Sequence, residues 1–87
     1  MRVRFFGSSE CRDCMEVFVI LNKFDIEYKY IDTTEDDDEI QDFCDDHEVE
    51  ELPHLQFIID DNIILQHVGP LKEEKFVGYM IDYFPDY

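Results

Sequence analysis

Two short strand patterns, at residues 3–6 and 28–31, enclose one apolar run at residues 15–21, which begins just after a pair of cysteines, Cys11 and Cys14. Val17, Val19 and Ile20 are β-branched, so periodicity alone leaves this run open between a buried helix and a strand. The spacing decides it. Strands that pair in parallel need a crossover of roughly a dozen residues, usually helical, which predicts a helix over residues 12–24 inside a βαβ unit. Gly7, Ser8 and Ser9 break the first strand, and the serines or Glu10 are expected to start the helix.

Thr33 and Thr34 offer caps for a second helix over residues 35–47, with Ile40, Phe43, Cys44 and His47 at i, i+3, i+4 and i+7 on one inward stripe. Two β-branched runs around Asp60-Asp61-Asn62 read as an antiparallel hairpin with a tight turn. Gly69-Pro70 stops the last strand. Phe76, Val77, Tyr79, Met80 and Tyr83 then supply the stripe of a closing helix over residues 71–83. The expected fold class is α/β, in the order βαβ-α-ββα, with a four-stranded mixed sheet flanked by three helices. Residues 1–87 are read as one domain.

The formal charge of −16 argues against binding nucleic acid through its phosphates and against docking on anionic membrane lipid. A 45% apolar content with thirteen aromatic residues excludes disorder despite that charge. The three cysteines are an odd number, no stretch resembles a signal peptide, and no apolar run approaches the roughly 18 residues of a membrane helix. The expectation is a monomer in the reducing cytoplasm, where a two-cysteine motif is catalytic or metal-binding more often than structural.

Cysteines at i and i+3 in a first helical turn share one face, within the roughly 4.4–6.8 Å Cα separation of a disulfide. The helix terminus favours a thiolate there. Cys11, nearer solvent, is the expected nucleophile and Cys14 the resolving thiol. Glu10 and Asp13 oppose the helix terminus while Arg12 offsets one of them, which predicts a mild reductant. Zinc stays open at this point, because Cys44 and His47 form a second, similarly spaced pair and Cys11, Cys14, Cys44 and His47 would make a Cys₃His tetrahedron. Against it, Cys44 falls on an inward stripe, where a free cysteine serves as a small hydrophobe. Residues 32–51 hold twelve acids and no Lys or Arg. This run reads as a solvated face or a docking surface for a basic reductase or substrate protein. A redox-silent, acidic protein-binding module is the alternative reading.

Cys11-Arg12-Asp13-Cys14, Leu52-Pro53-His54 before the third strand and Val68-Gly69 before the last helix together resemble the thioredoxin-fold redoxins, in particular their short glutaredoxin-like branch, across nearly the whole chain. The resemblance implies a cis Leu52–Pro53 bond lying against the dithiol. It also implies substrate contacts at Arg12, Asp13, Leu52, Pro53, His54 and Gly69, with the Leu52 backbone pairing with an extended partner segment and His54 near enough to move protons. Thioredoxins commonly place Trp directly before the first cysteine and a buried acid six residues before it, where this chain has Glu10 and Phe5. The glutathione-binding segment of glutaredoxins corresponds to Val68-Gly69-Pro70-Leu71, whose proline removes an N–H donor. The chain is therefore similar to the small redoxins, viral ones included, that pass electrons to ribonucleotide reductase. That resemblance implies protein disulfides as substrate, no bound cofactor, and a Cys11–Cys14 disulfide recycled by a reductase or by glutathione.

Overall fold

The computed structural model describes residues 1–35 and 37–86; Asp36, within the acidic run, and the terminal Tyr87 lie outside the described residues. The elements are β1 (Arg2–Gly7), α1 (Arg12–Lys23), β2 (Tyr28–Asp32), α2 (Asp38–Asp46), β3 (His54–Ile59), β4 (Asn62–Val68) and α3 (Glu73–Tyr83). They form one four-stranded sheet in the order β2-β1-β3-β4, with β1 and β2 parallel and the other pairs antiparallel. This is the βαβ-α-ββα arrangement expected from the sequence.

Strand alternation sorts the side chains into two layers. Val3 and Phe5 of β1 and Leu55 and Phe57 of β3 face one way, against Cys14, Val17, Ile20 and Leu21 of α1 and Phe76 of α3. Phe84, one residue past the end of α3, is 1% exposed and stacks on Phe57 at 5.7 Å, whereas the predicted stripe residue Tyr83 is 49% exposed. Burying a Phe contributes roughly 1.5–3 kcal/mol, so the exchange moves a large part of the closing helix's anchor beyond its own end. Within the 15–21 run, Met15 and Val19 are both 64% exposed. The helix is thus amphipathic, not buried all round.

α2 covers the other face, where Phe6 stacks on Phe43 at 5.7 Å. Its cap differs from the expectation. Asp37 accepts from the Glu39 N–H at 2.8 Å, while Thr33 donates its N–H and its hydroxyl to the Gly7 carbonyl at 2.8 and 3.0 Å. Thr34 instead donates its hydroxyl and, at 2.9 Å, its N–H to Asp32 Oδ1, and these two bonds, the hydroxyl's foremost, hold the Asp32 carboxyl below its usual value. The hairpin turn is the two residues Asp60 and Asp61, at φ 50° and 66°, with Ile59 and Asn62 paired across it. Two central residues of positive φ match the right-handed twist of the strands they join.

A polar network centred on the buried Gln56 ties β1, β3, β4 and the end of α2 together. Arg4 donates to Gln56 Oε1 at 2.8 Å, which orients the amide so that Nε2 donates to His47 Nδ1 at 3.1 Å and to Gln66 Oε1 at 3.3 Å. His47 must be neutral to accept. Burial first, then Arg4 and His54, lower its pKa from the ordinary value, and Asp46 opposes them only in part. A histidine depressed in the folded state stabilises the fold above its unfolded pKa and loses that contribution as pH falls below it. Urea midpoints are therefore expected to drop between about pH 7.5 and about pH 5.5, and His47→Gln to flatten that slope. An unchanged slope in the variant would contradict this assignment.

Candidate active site

The strand registers place three loops at one end of the sheet. Phe6 pairs with His54 and His54 with Val68, so the end of β1, the residues before β3 and the residues after β4 are neighbours. α1 starts from the same end. Ser8 forms the connecting turn, accepting from the Glu10 N–H through its hydroxyl and from the Cys11 N–H through its carbonyl, each at 3.2 Å.

The helix cap is Cys11 itself rather than a serine or Glu10. It is extended, at φ −86° and ψ 107°, and its Sγ accepts from the Cys14 N–H at 3.2 Å. A sulfur held against the positive end of a helix is stabilised as thiolate. Cys11 and Cys14 are joined as a disulfide with a Cα separation of 5.3 Å. The two sulfurs differ in access: Cys11 is half-buried and Cys14 only 1% exposed.

Gly7 explains how Cys14 fits so deeply. A Cβ there would lie 2.9 Å from Tyr30 Cε1, 3.0 Å from Cys14 Sγ and 3.2 Å from Phe5 Cε1, so any larger residue would force Tyr30 or the resolving sulfur to shift. Beneath it, Phe5, Phe18 and Tyr30 form an aromatic triad with centroids 4.8–5.2 Å apart. Burial, and then the Asp32 charge, push the Tyr30 phenol pKa up. Neither Gly7 nor Tyr30 stood among the expected site residues; the parallel register that sets Phe5 opposite Tyr30 brings them together only in the fold.

At the same end of the sheet, just before β3, the Leu52–Pro53 bond is cis. Pro53 is fully buried, and its carbonyl accepts from the Gly69 N–H at 2.8 Å. Gly69 is at φ +93°, a conformation that favours glycine. Leu52 and Cys11 pack at the margin of the same apolar cluster. Among the described residues no group bonds the Leu52 backbone N–H or carbonyl. Arg12 and Asp13 are exposed in the first turn of α1.

His54 is not placed as expected. Alternation along β3 turns its ring to the α2 face, edge-on to Phe6 at 5.5 Å, with Nε2 donating to Gln66 Oε1 at 2.9 Å. Its Nδ1 is buried with no partner among the described residues. His67 fastens β4 to α3 through the Tyr79 hydroxyl at 2.7 Å. The zinc tetrahedron is not formed either. Cys11 and Cys14 bond each other, Cys44 is buried in the α2 stripe with its thiol pKa raised by burial and then by Asp45, and His47 accepts from Gln56. Among the described residues no three His, Cys, Asp or Glu side chains are grouped to hold a metal ion.

No family model and no curated protein matches the chain by sequence. Its architecture does match solved structures. Oxidized thioredoxin O2 from Arabidopsis thaliana superposes with a TM-score of 0.76 at 19% identity, over 95% of this chain and 74% of that one. Thioredoxin f2 from Chlamydomonas reinhardtii gives 0.78 at 13% identity, over 98% and 80%. The chain has the thioredoxin fold. Thioredoxin 1 from Thermosipho africanus, at 0.74 and 17% identity, shares this fold over 98% of this chain and 96% of its own. On the thioredoxin fold of this chain the dithiol, the cis proline and Gly69 occupy one end of the sheet. No helix among the described residues is long and apolar enough to cross a membrane.

Proposed function

We propose that this chain is a thiol–disulfide oxidoreductase that reduces protein disulfides by dithiol exchange, as an electron donor of the kind ribonucleotide reductase requires. The observation that carries the proposal is the graded access of one disulfide: Cys11 half-buried at a helix start, Cys14 buried beneath it. In the reduced protein the Cys11 thiolate attacks one sulfur of the substrate disulfide, and the departing substrate thiolate takes up a proton. Cys14, giving up its proton, attacks Cys11 Sγ and releases the second substrate thiol. Two electrons pass to the substrate and the Cys11–Cys14 disulfide re-forms.

The unpaired Leu52 backbone supports pairing with an extended substrate segment, with Arg12, Asp13, Pro53, Gly69 and the backbone of His54 around it. The exposed carboxylates of α2 and the following loop, among them Asp42, Asp45, Glu48 and Glu50, support docking of a basic reductase or substrate protein. The same charge disfavours glutathione, an anion, and Pro70 withholds an N–H where glutaredoxins bind its carboxylate. The reading is of a cytoplasmic monomer recycled by a flavoprotein reductase. With NADPH and thioredoxin reductase, turnover of a protein disulfide is expected to exceed that with glutathione and its reductase by about tenfold or more. Turnover with glutathione alone that survives Cys14→Ser would overturn the choice of reductant.

A further inference from the structure

Three of the chain's seven basic side chains converge away from the dithiol. Arg2 and Arg4 of β1 and Lys29 of β2 line a cavity of about 400 Å³ on the α2 face, over a floor that includes Ile31 and Ile58. Arg4 and Lys29 are direct partners in the β1–β2 register. Like charges set side by side on neighbouring strands oppose folding, and this chain has 23 carboxylates with which to avoid that pairing. It does not do so. Arg4 is half-buried and engages only neutral groups, Gln56 at 2.8 Å and the Phe43 ring at 4.9 Å. Lys29 has no ion pair among the described residues, and Arg2 meets Asp61 at 3.1 Å in an exposed pair. Glu27 is the one acid lining the cavity.

We propose that this cavity binds a small phosphate monoester, its terminal oxygens on Arg2, Arg4 and Lys29 and its apolar body against Ile31 and Ile58. Guanidinium forks match phosphate oxygens in pairs, and an ammonium adds a point charge. Three cations suit a head group with three terminal oxygens better than a carboxylate with two. The volume falls in the range of small-ligand sites. A nucleic acid would meet the field of the whole −16 molecule, whereas a small ester meets only the local positive surplus.

Phenyl phosphate titrated into the full isotope-labelled chain tests this by amide shifts. The expected result is saturable shifts centred on Arg2, Arg4, Lys29 and Ile58, with Lys29→Gln and Arg2→Gln each weakening binding about tenfold and benzoate binding about tenfold more weakly than the phosphate. Both substituted side chains are exposed, so the variants are expected to fold. Shifts spread equally over Lys23, Lys72 and Lys75, affinity unchanged in both variants, or no saturation by about 20 mM would overturn the proposal. Inorganic phosphate binding as tightly as phenyl phosphate would overturn the role of the apolar floor.

Discussion

Cys11→Ser is expected to lower protein-disulfide reduction roughly 10³-fold or more, because a serine hydroxyl is un-ionised at neutral pH and a poor nucleophile toward sulfur. Cys14→Ser is expected to fail differently. Its Cys11 thiolate still attacks once, but the mixed disulfide has no internal thiol to resolve it, so steady-state turnover falls while the first attack remains. The two substitutions thus separate attack from resolution. Cys11 is half-buried and its sulfur caps α1 by accepting from Cys14 N–H at 3.2 Å, a role a serine oxygen also fills. Circular dichroism is expected to show the fold intact. A chain serving as a redox-silent acidic binding module would keep its function in Cys11→Ser, and that outcome would contradict the oxidoreductase reading.

Phe5→Ala is expected to destabilise the domain by about 3–5 kcal/mol in urea unfolding. Phe5 is fully buried and its ring meets Phe18 at 4.8 Å, Tyr30 at 5.2 Å and Tyr28 at 6.5 Å. Such a loss is a large share of the roughly 5–15 kcal/mol that holds a domain folded. The void would open directly beneath Gly7 and Cys14, whose spacing Phe5 helps to set. Reduction kinetics are therefore expected to slow at the resolving step as stability falls. A change below about 1 kcal/mol would show that the aromatic triad is not what supports the dithiol.

The connection rule was enough to predict a helix over residues 12–24, observed as Arg12–Lys23, although its β-branched composition was ambiguous, because a parallel β1–β2 pair needs a crossover of that length. The start of α2 was less legible. Thr33 and Thr34 carry capping side chains, but so does every Asp between them and Ile40, and the carbonyl of Gly7, which draws Thr33 away, is distant in sequence. His54 shows the limit of placing a residue by its neighbour. It adjoins Pro53, yet strand alternation turns its ring to the opposite face of the sheet from Cys14. The Cys11–Cys14 pairing was readable because i and i+3 spacing in a first helical turn fixes it locally, and the cis Leu52–Pro53 bond came from the family resemblance. Gly7 and Tyr30 were not, since their importance arises only where β1, β2 and α1 meet.

The division of labour between the two thiols is open to one direct measurement. Reduced Cys14→Ser protein, mixed with a protein disulfide substrate and quenched with acid, is digested and its disulfide-linked peptides are assigned by mass spectrometry. The expected result is a single mixed disulfide through Cys11, the half-buried sulfur at the start of α1. A linkage through the buried Cys44, or no linkage while Cys11 remains a free thiol, would contradict it.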